Sequence, residues 1–141
     1  MNTHPAKINV TLTACEAIAV FATCKAAGNA LKRTIEKKKN TENVLTQMQG
    51  MAIGFFMSPA NILANAHNAD HHAAAYEVEF SPFDVAAVLA GIVHFMKRVG
   101  VGDIEDLENQ LTSVQDKLIR AIKAQVDPDV AKSIKETAES W

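Results

Sequence analysis

VTLTACEAIAVFA (residues 10–22) and VEFSPFDVAAVLA (residues 78–90) have the same build. Each opens on alternating apolar positions, Val10 and Leu12 in one and Val78 and Phe80 in the other, a period of two that suits a half-buried strand. Each then passes a hydroxyl residue, Thr13 or Ser81, and meets an acid three positions later, Glu16 or Asp84. This is the chemistry of a strand feeding a capped helix. The hydroxyl accepts a bond from an orphan N–H at the helix start, and the acid faces the positive end of the helix dipole. Pro82 falls at the first helical position, where a missing N–H costs nothing.

Working outward, the match continues. Lys32-Arg33 ends the first helix as Lys97-Arg98 ends the second. ENVLTQMQ (42–49) then matches ENQLTSVQ (108–115) in five of eight places. The offset between copies moves from 68 to 65 to 66, and Pro59 and Pro128 each open a short last segment. Four matches in one order imply an internal duplication. The expected organisation is a single domain over 1–141, with a first half at 7–63, a linker at 64–75 and a second half at 76–141.

Each half reads as strand, helix, helix and short helix. The first strand is expected at about 7–12, with Ile8, Val10 and Leu12 on one face. A helix follows to about Lys39, and another runs from about Thr41 to Met57, almost uniformly apolar from Met48 onward. The second strand, about 76–80, points Tyr76, Val78 and Phe80 inward and Glu77 and Glu79 outward. Its helix spans about 82–99 and stops at the loop Gly100-Val101-Gly102. The next, about 103–126, carries the apolar stripe Ile104, Leu107, Leu111, Val114, Leu118 and Ile122. The predicted fold is mainly α: two duplicated strand–helix–helix halves whose strands form a small antiparallel two-stranded sheet packed on helices.

Composition fits a folded chain: 48% of residues are hydrophobic and 21% charged, at a net charge of −2. That balance gives no reason to expect duplex nucleic acid or anionic lipid as a partner. Cys15 and Cys24, nine apart in a helical pattern, fall on opposite faces and cannot bridge within one chain; they read as two small buried hydrophobes in a reducing compartment. No Asp, Glu, Lys or Arg occurs from Asn43 to Ala69. Asn, Gln and Pro interrupt this stretch, so it reads as a buried helix whose Gly50 and Gly54 let a neighbour come close, not as a membrane span. The N-terminus lacks the pattern of a secretory signal, and the expected location is cytoplasmic. So much apolar helix surface in 141 residues predicts a homo-oligomer, a dimer or higher.

Three groups of residues are candidates for chemistry. ANAHNADHHAAAYEVEF (64–80) places His67 and His71 four apart, the spacing of two zinc ligands on one helix face, with Asp70, His72 and Glu77 nearby. Its Asn and Asp content and its position between the halves favour a solvated joint instead. Lys32, Arg33, Lys97 and Arg98 at equivalent helix ends could converge on a phosphate, with Tyr76 or Phe83 stacking on a base; basic residues also belong at helix C-termini for dipole reasons alone. Asp103, Glu105, Asp106 and Glu108 sit at a helix start, where acids complement the dipole. No nucleophile elbow or phosphate-cradling glycine loop is present, so no enzyme is expected, and no cofactor apart from the zinc alternative.

The pattern V-x-L-T-x-x-E at 10–16, taken with the leucine-striped IEDLENQLTSVQDKLIRAI at 104–122, resembles short phage-encoded accessory and counter-defence proteins. Some of these are helical oligomers that bind a host defence protein or sequester a nucleotide signal. The resemblance implies a small binding protein and assigns no residue. The expectation is a non-enzymatic oligomer that binds a protein partner or a small phosphate-bearing ligand. The alternatives are a metal protein using His67, Asp70, His71 and His72, and a purely structural helical assembly.

Overall fold

The computed structural model describes residues 7–38, 43–99 and 105–139, and the side chains of 7–30, 54–97 and 107–139. Within them the chain forms β1 (Ile8–Thr13), α1 (Ala14–Lys38), α2 (Asn43–Ala69), β2 (Ala75–Phe80), α3 (Pro82–Val99), α4 (Glu105–Gln125) and α5 (Pro128–Glu139). The fold is mainly α, with one small antiparallel sheet packed on helices.

The sheet is the hub. β1 and β2 pair antiparallel with Ile8 opposite Phe80, Val10 opposite Val78 and Leu12 opposite Tyr76. All six of these side chains are buried, so alternation puts one face of the sheet on the core and leaves Asn9, Thr11, Glu77 and Glu79 in solvent. Lys7 and Glu79 form an exposed ion pair at 3.5 Å. At Asn9 the free edge of β1 is capped by a side chain. Gln125, at the end of α4, accepts the Asn9 N–H through Oε1 at 2.8 Å and donates Nε2 to the Asn9 carbonyl at 2.8 Å. It thereby satisfies two backbone groups that an edge strand otherwise offers to another chain.

Both strands turn into helices through reciprocal caps. The Thr13 N–H donates to Glu16 Oε1 at 2.9 Å and Thr13 Oγ1 accepts from the Glu16 N–H at 3.1 Å. Ser81 and Asp84 repeat the pattern at 3.0 and 3.1 Å. The acids then do something that capping alone does not require, because both are buried. Glu16 Oε2 accepts from Ser113 Oγ of α4 at 2.6 Å, and Lys117 of the same helix forms an ion pair with Oε1. Asp84 Oδ1 accepts from Ser58 Oγ of α2 at 2.6 Å. Burial pushes the Glu16 carboxyl up, but the bonds from Lys117, Ser113 and the Thr13 amide outweigh it and hold the group below its ordinary value. Each helix start is thus locked to a helix of the other half.

Two contacts set residues 68 apart against each other. Val10 faces Val78 in the sheet, and α1 crosses α3 where a methyl group on Gly91 would meet Thr23 Cγ2 at 3.7 Å. A twofold between duplicated halves would produce these two contacts, whereas α1 packs closely on α2 and α3 scarcely touches α4. α4 lies on β1 and α1 as α2 lies on β2 and α3, but the serines that bond the capping acids, Ser58 and Ser113, are 55 apart. That is eleven short of the offset at ENVLTQMQ, or about three helical turns.

Several expectations change. The helix expected to end at Met57 continues through Pro59 to Ala69, so residues 64–69 are helical and the joint between halves shrinks from 64–75 to 70–74. Phe56, Pro59, Ala60 and Leu63 are buried at a spacing of three and four, and that stripe outweighs the missing proline N–H and the turn-forming asparagines. Cys15 is exposed rather than buried; only Cys24 lies in the core, where burial, helped by Asp84, pushes its thiol up to about 12. Gly54 is exposed with open space around it, and the close helix approach comes instead at Gly91; Gly50 lies outside the described side chains. An added methyl at Gly91 makes ordinary contacts of 3.7–3.8 Å with Thr23 and the Phe56 ring. Gly91→Ala should therefore stabilise the chain by about 0.5–1 kcal/mol through helix propensity, read as a higher urea midpoint; a lower midpoint would show that α1 and α3 pack closer than these distances.

Candidate binding cleft

The apolar positions of α1 do not all go inward. Ala17, Ala19 and Val20 pack on the sheet and the neighbouring helices, while Ile18, on the flank of that stripe, is 66% exposed. Ile18 and Phe21 form one wall of a cleft of about 410 Å³, and Leu63, Ala64 and His67 of α2 form the other. Tyr76 closes the end nearest the sheet. Among the described residues no acidic side chain lines it, and Lys25 reaches over the Phe21 ring, 5.5 Å from its centroid, one turn further along α1.

The polar end is a directed chain of hydrogen bonds. The Tyr76 hydroxyl donates to the Asp70 carbonyl at 3.0 Å, which spends its only hydrogen. Its contact with His67 Nδ1 at 3.1 Å must then be a bond that the imidazole donates. In the neutral imidazole this leaves His67 Nε2 as an acceptor, and His71 Nδ1 stands 3.4 Å from it. The rings meet edge to face at 4.9 Å. Asp70 turns its carboxylate away to accept the His72 N–H at 3.0 Å. The joint is thereby held as a fixed turn, and Tyr76 is tied to it from inside the core.

Among the residues expected to carry chemistry, only some meet. His67 and His71 come together as the spacing implied, but their facing nitrogens bond each other, and Asp70 and His72 bond locally. Glu77 lies on the solvent face of the sheet. Among the described residues no three His, Cys, Asp or Glu side chains gather into a metal-holding group. Tyr76 is buried at one end of β2, and Phe83 is 68% exposed just beyond the other end. Lys97 is exposed on the last turn of α3. The side chains of Lys32, Arg33 and Arg98 lie outside the described residues.

No protein-family model, curated protein or solved structure matches this chain.

Ile18, Phe21, Leu63 and Ala64 escaped the reading of the sequence. A signal existed. Ile18 shares a helix face with Cys15, Ala22 and Lys25, all exposed, so a large apolar residue there is out of place on a solvent face. Among the described residues no helix is long and apolar enough to cross a membrane.

Proposed function

We propose that this chain is a non-enzymatic binding protein that holds an apolar segment of a protein partner in the cleft between α1 and α2. The observation that carries this reading is the open apolar cleft with Ile18 standing exposed at its wall. Its polar end favours binding over turnover, because His67, Tyr76 and the Asp70 carbonyl are spent on one another. The resemblance to small phage-encoded binding proteins points the same way. Free Cys15, exposed, and Cys24, buried, suit a cytoplasmic location.

Ala64→Trp tests the site, since an indole at this half-buried position fills the cleft from its rim. Native wild-type protein should bind the apolar dye 1-anilinonaphthalene-8-sulfonate saturably at one site, and the variant should lose that fluorescence with an unchanged melting midpoint. Dye binding that survives Ala64→Trp would place the apolar site elsewhere.

A further inference from the structure

The two edges of the sheet are finished differently. The Ala14 N–H donates to the Ala74 carbonyl at 2.9 Å, one step beyond the paired strands, while Gln125 engages both backbone groups of Asn9 from outside. In an antiparallel pair, residues that bond across the ladder alternate with residues whose N–H and C=O point away from it. Ile8 with Phe80, Val10 with Val78 and Leu12 with Tyr76 therefore close the ladder. Asn9, Thr11 and Thr13 point outward from β1, and Ala75, Glu77 and Glu79 point outward from β2. The β1 edge is capped towards both ends, by Gln125 at Asn9 and by Glu16 at the Thr13 N–H. β2 has no such cap. Among the described residues nothing bonds the outward backbone groups of Glu77 and Glu79, and both residues are exposed. Their side chains stand on the solvent face, where Glu79 already draws the Lys7 ammonium to 3.5 Å.

We infer that the outer edge of β2 is an interaction surface that takes a basic, extended segment of a different protein as a third, antiparallel strand. The inference does not rest on the cleft. The edge offers N–H and C=O groups at the repeat of a strand, and another extended backbone is what matches them in series. The acids then choose the side chains. A residue directly opposite Glu77 or Glu79 turns its side chain to the same solvent face, within reach of the carboxylate, so Lys or Arg there forms a cross-strand pair. The residue between them turns to the buried side, beside Val78, and should be apolar. The occupant is thus a segment that alternates basic and apolar residues and matches the six residues of β2. A second copy of this chain does not fit. Two β2 strands paired over their full length about a twofold at Glu77 or at Val78 set Glu77 against Glu77 or Glu77 against Glu79, and like charges directly opposite each other repel. β1 of a second copy has its own edge capped at Asn9.

The probe is the synthetic peptide acetyl-TKVKVKVT-amide, titrated into ¹⁵N-labelled full-length protein and followed by NMR. The expected result is saturable 1:1 shifts centred on the amides of Glu77 and Glu79, with slower hydrogen exchange at both once peptide is bound. An analogue with Glu in place of every Lys should not bind. The double variant Glu77→Lys with Glu79→Lys, changed only at exposed positions, should bind the basic peptide about tenfold more weakly and gain affinity for the acidic one. A basic peptide methylated on its lysine backbone nitrogens should lose binding, because those N–H groups face β2 and methylation removes them without changing charge. No shift at Glu77 and Glu79, shifts centred on Thr11 instead, or equal affinity for the acidic or the methylated peptide would overturn the inference. Shifts at Glu77 that grow with protein concentration before peptide is added would mean that a second copy takes the edge, which also overturns it.

Discussion

Phe80→Ala should lower the stability of the folded chain by about 4 kcal/mol, the cost expected for truncating a large aromatic in a core that cannot collapse around the gap. Among the described residues Phe80 is the largest of the fully buried side chains, at 0% exposure, and it faces Ile8 across the sheet. The neighbours that would have to move are themselves buried on the same sheet face, Val78 in the same strand and Ile8 in the partner. Domains of this size are stable by about 5–15 kcal/mol in all, so the variant should remain folded in water but unfold at a much lower urea concentration. Phe83→Ala is the matched control. It lies three residues on, at 68% exposure, and should change stability by no more than about 0.5 kcal/mol. Similar losses in the two variants would contradict the placement of the core.

Lys117→Met should cost about 2–3 kcal/mol at neutral pH, mainly by leaving the Glu16 carboxylate charged and buried with only Ser113 and an amide to hold it. The figure sits at the low end of such losses because the Lys117 side chain is about one-third exposed and partly screened already. The pH dependence separates this cause from lost packing. In the wild type the folded carboxyl lies below the ordinary value of 4.5, so the unfolded chain binds the proton more readily. The Glu16 contribution is therefore fully present above 4.5 and is lost as pH falls through the lower folded value. In the variant both Lys117 contributions are gone, so the folded carboxyl rises relative to the wild type. Its stability therefore falls less than that of the wild type as pH drops from 7 towards 4. Urea titrations at pH 7 and pH 4 should show the gap between the proteins narrowing. The double variant Glu16→Gln with Lys117→Met should recover much of the loss at pH 7. A gap independent of pH would mean that Lys117 acts through its methylenes.

The strands, their inward faces and the helix starts were legible because they follow from short-range chemistry. Alternation at 8–12 and 76–80 sets the faces, and a hydroxyl followed three residues later by an acid sets the caps. The span of α3 followed in the same way from Pro82 at its start and Gly100 beyond its end. The course of α2 beyond Met57 was not legible. Asn61, Asn65 and Asn68 argue locally for turns, and only the burial of Ala60 and Leu63 against the core keeps the helix going. The partners of Glu16 and Asp84 were hidden for a similar reason, since serines on distant helices carry no local mark. The cleft was least visible of all. Its walls come from three segments, and no local pattern marks side chains that meet only across them.

The long reach of the Glu16 bonds bears on how this chain acquires its structure during synthesis. Ser113 and Lys117 lie 97 and 101 residues downstream of Glu16, and Ile8 waits for Phe80 before β1 has a neighbour. A nascent chain that has emerged only as far as Ala69 has an unpaired strand and a helix whose first-turn carboxylate lacks its cation. The closure cost of a loop of about seventy residues is recovered only when β2 docks. The contacts of Glu16 and β1 can all form only once α4 has left the ribosome, so the native core of the first half is completed late in synthesis.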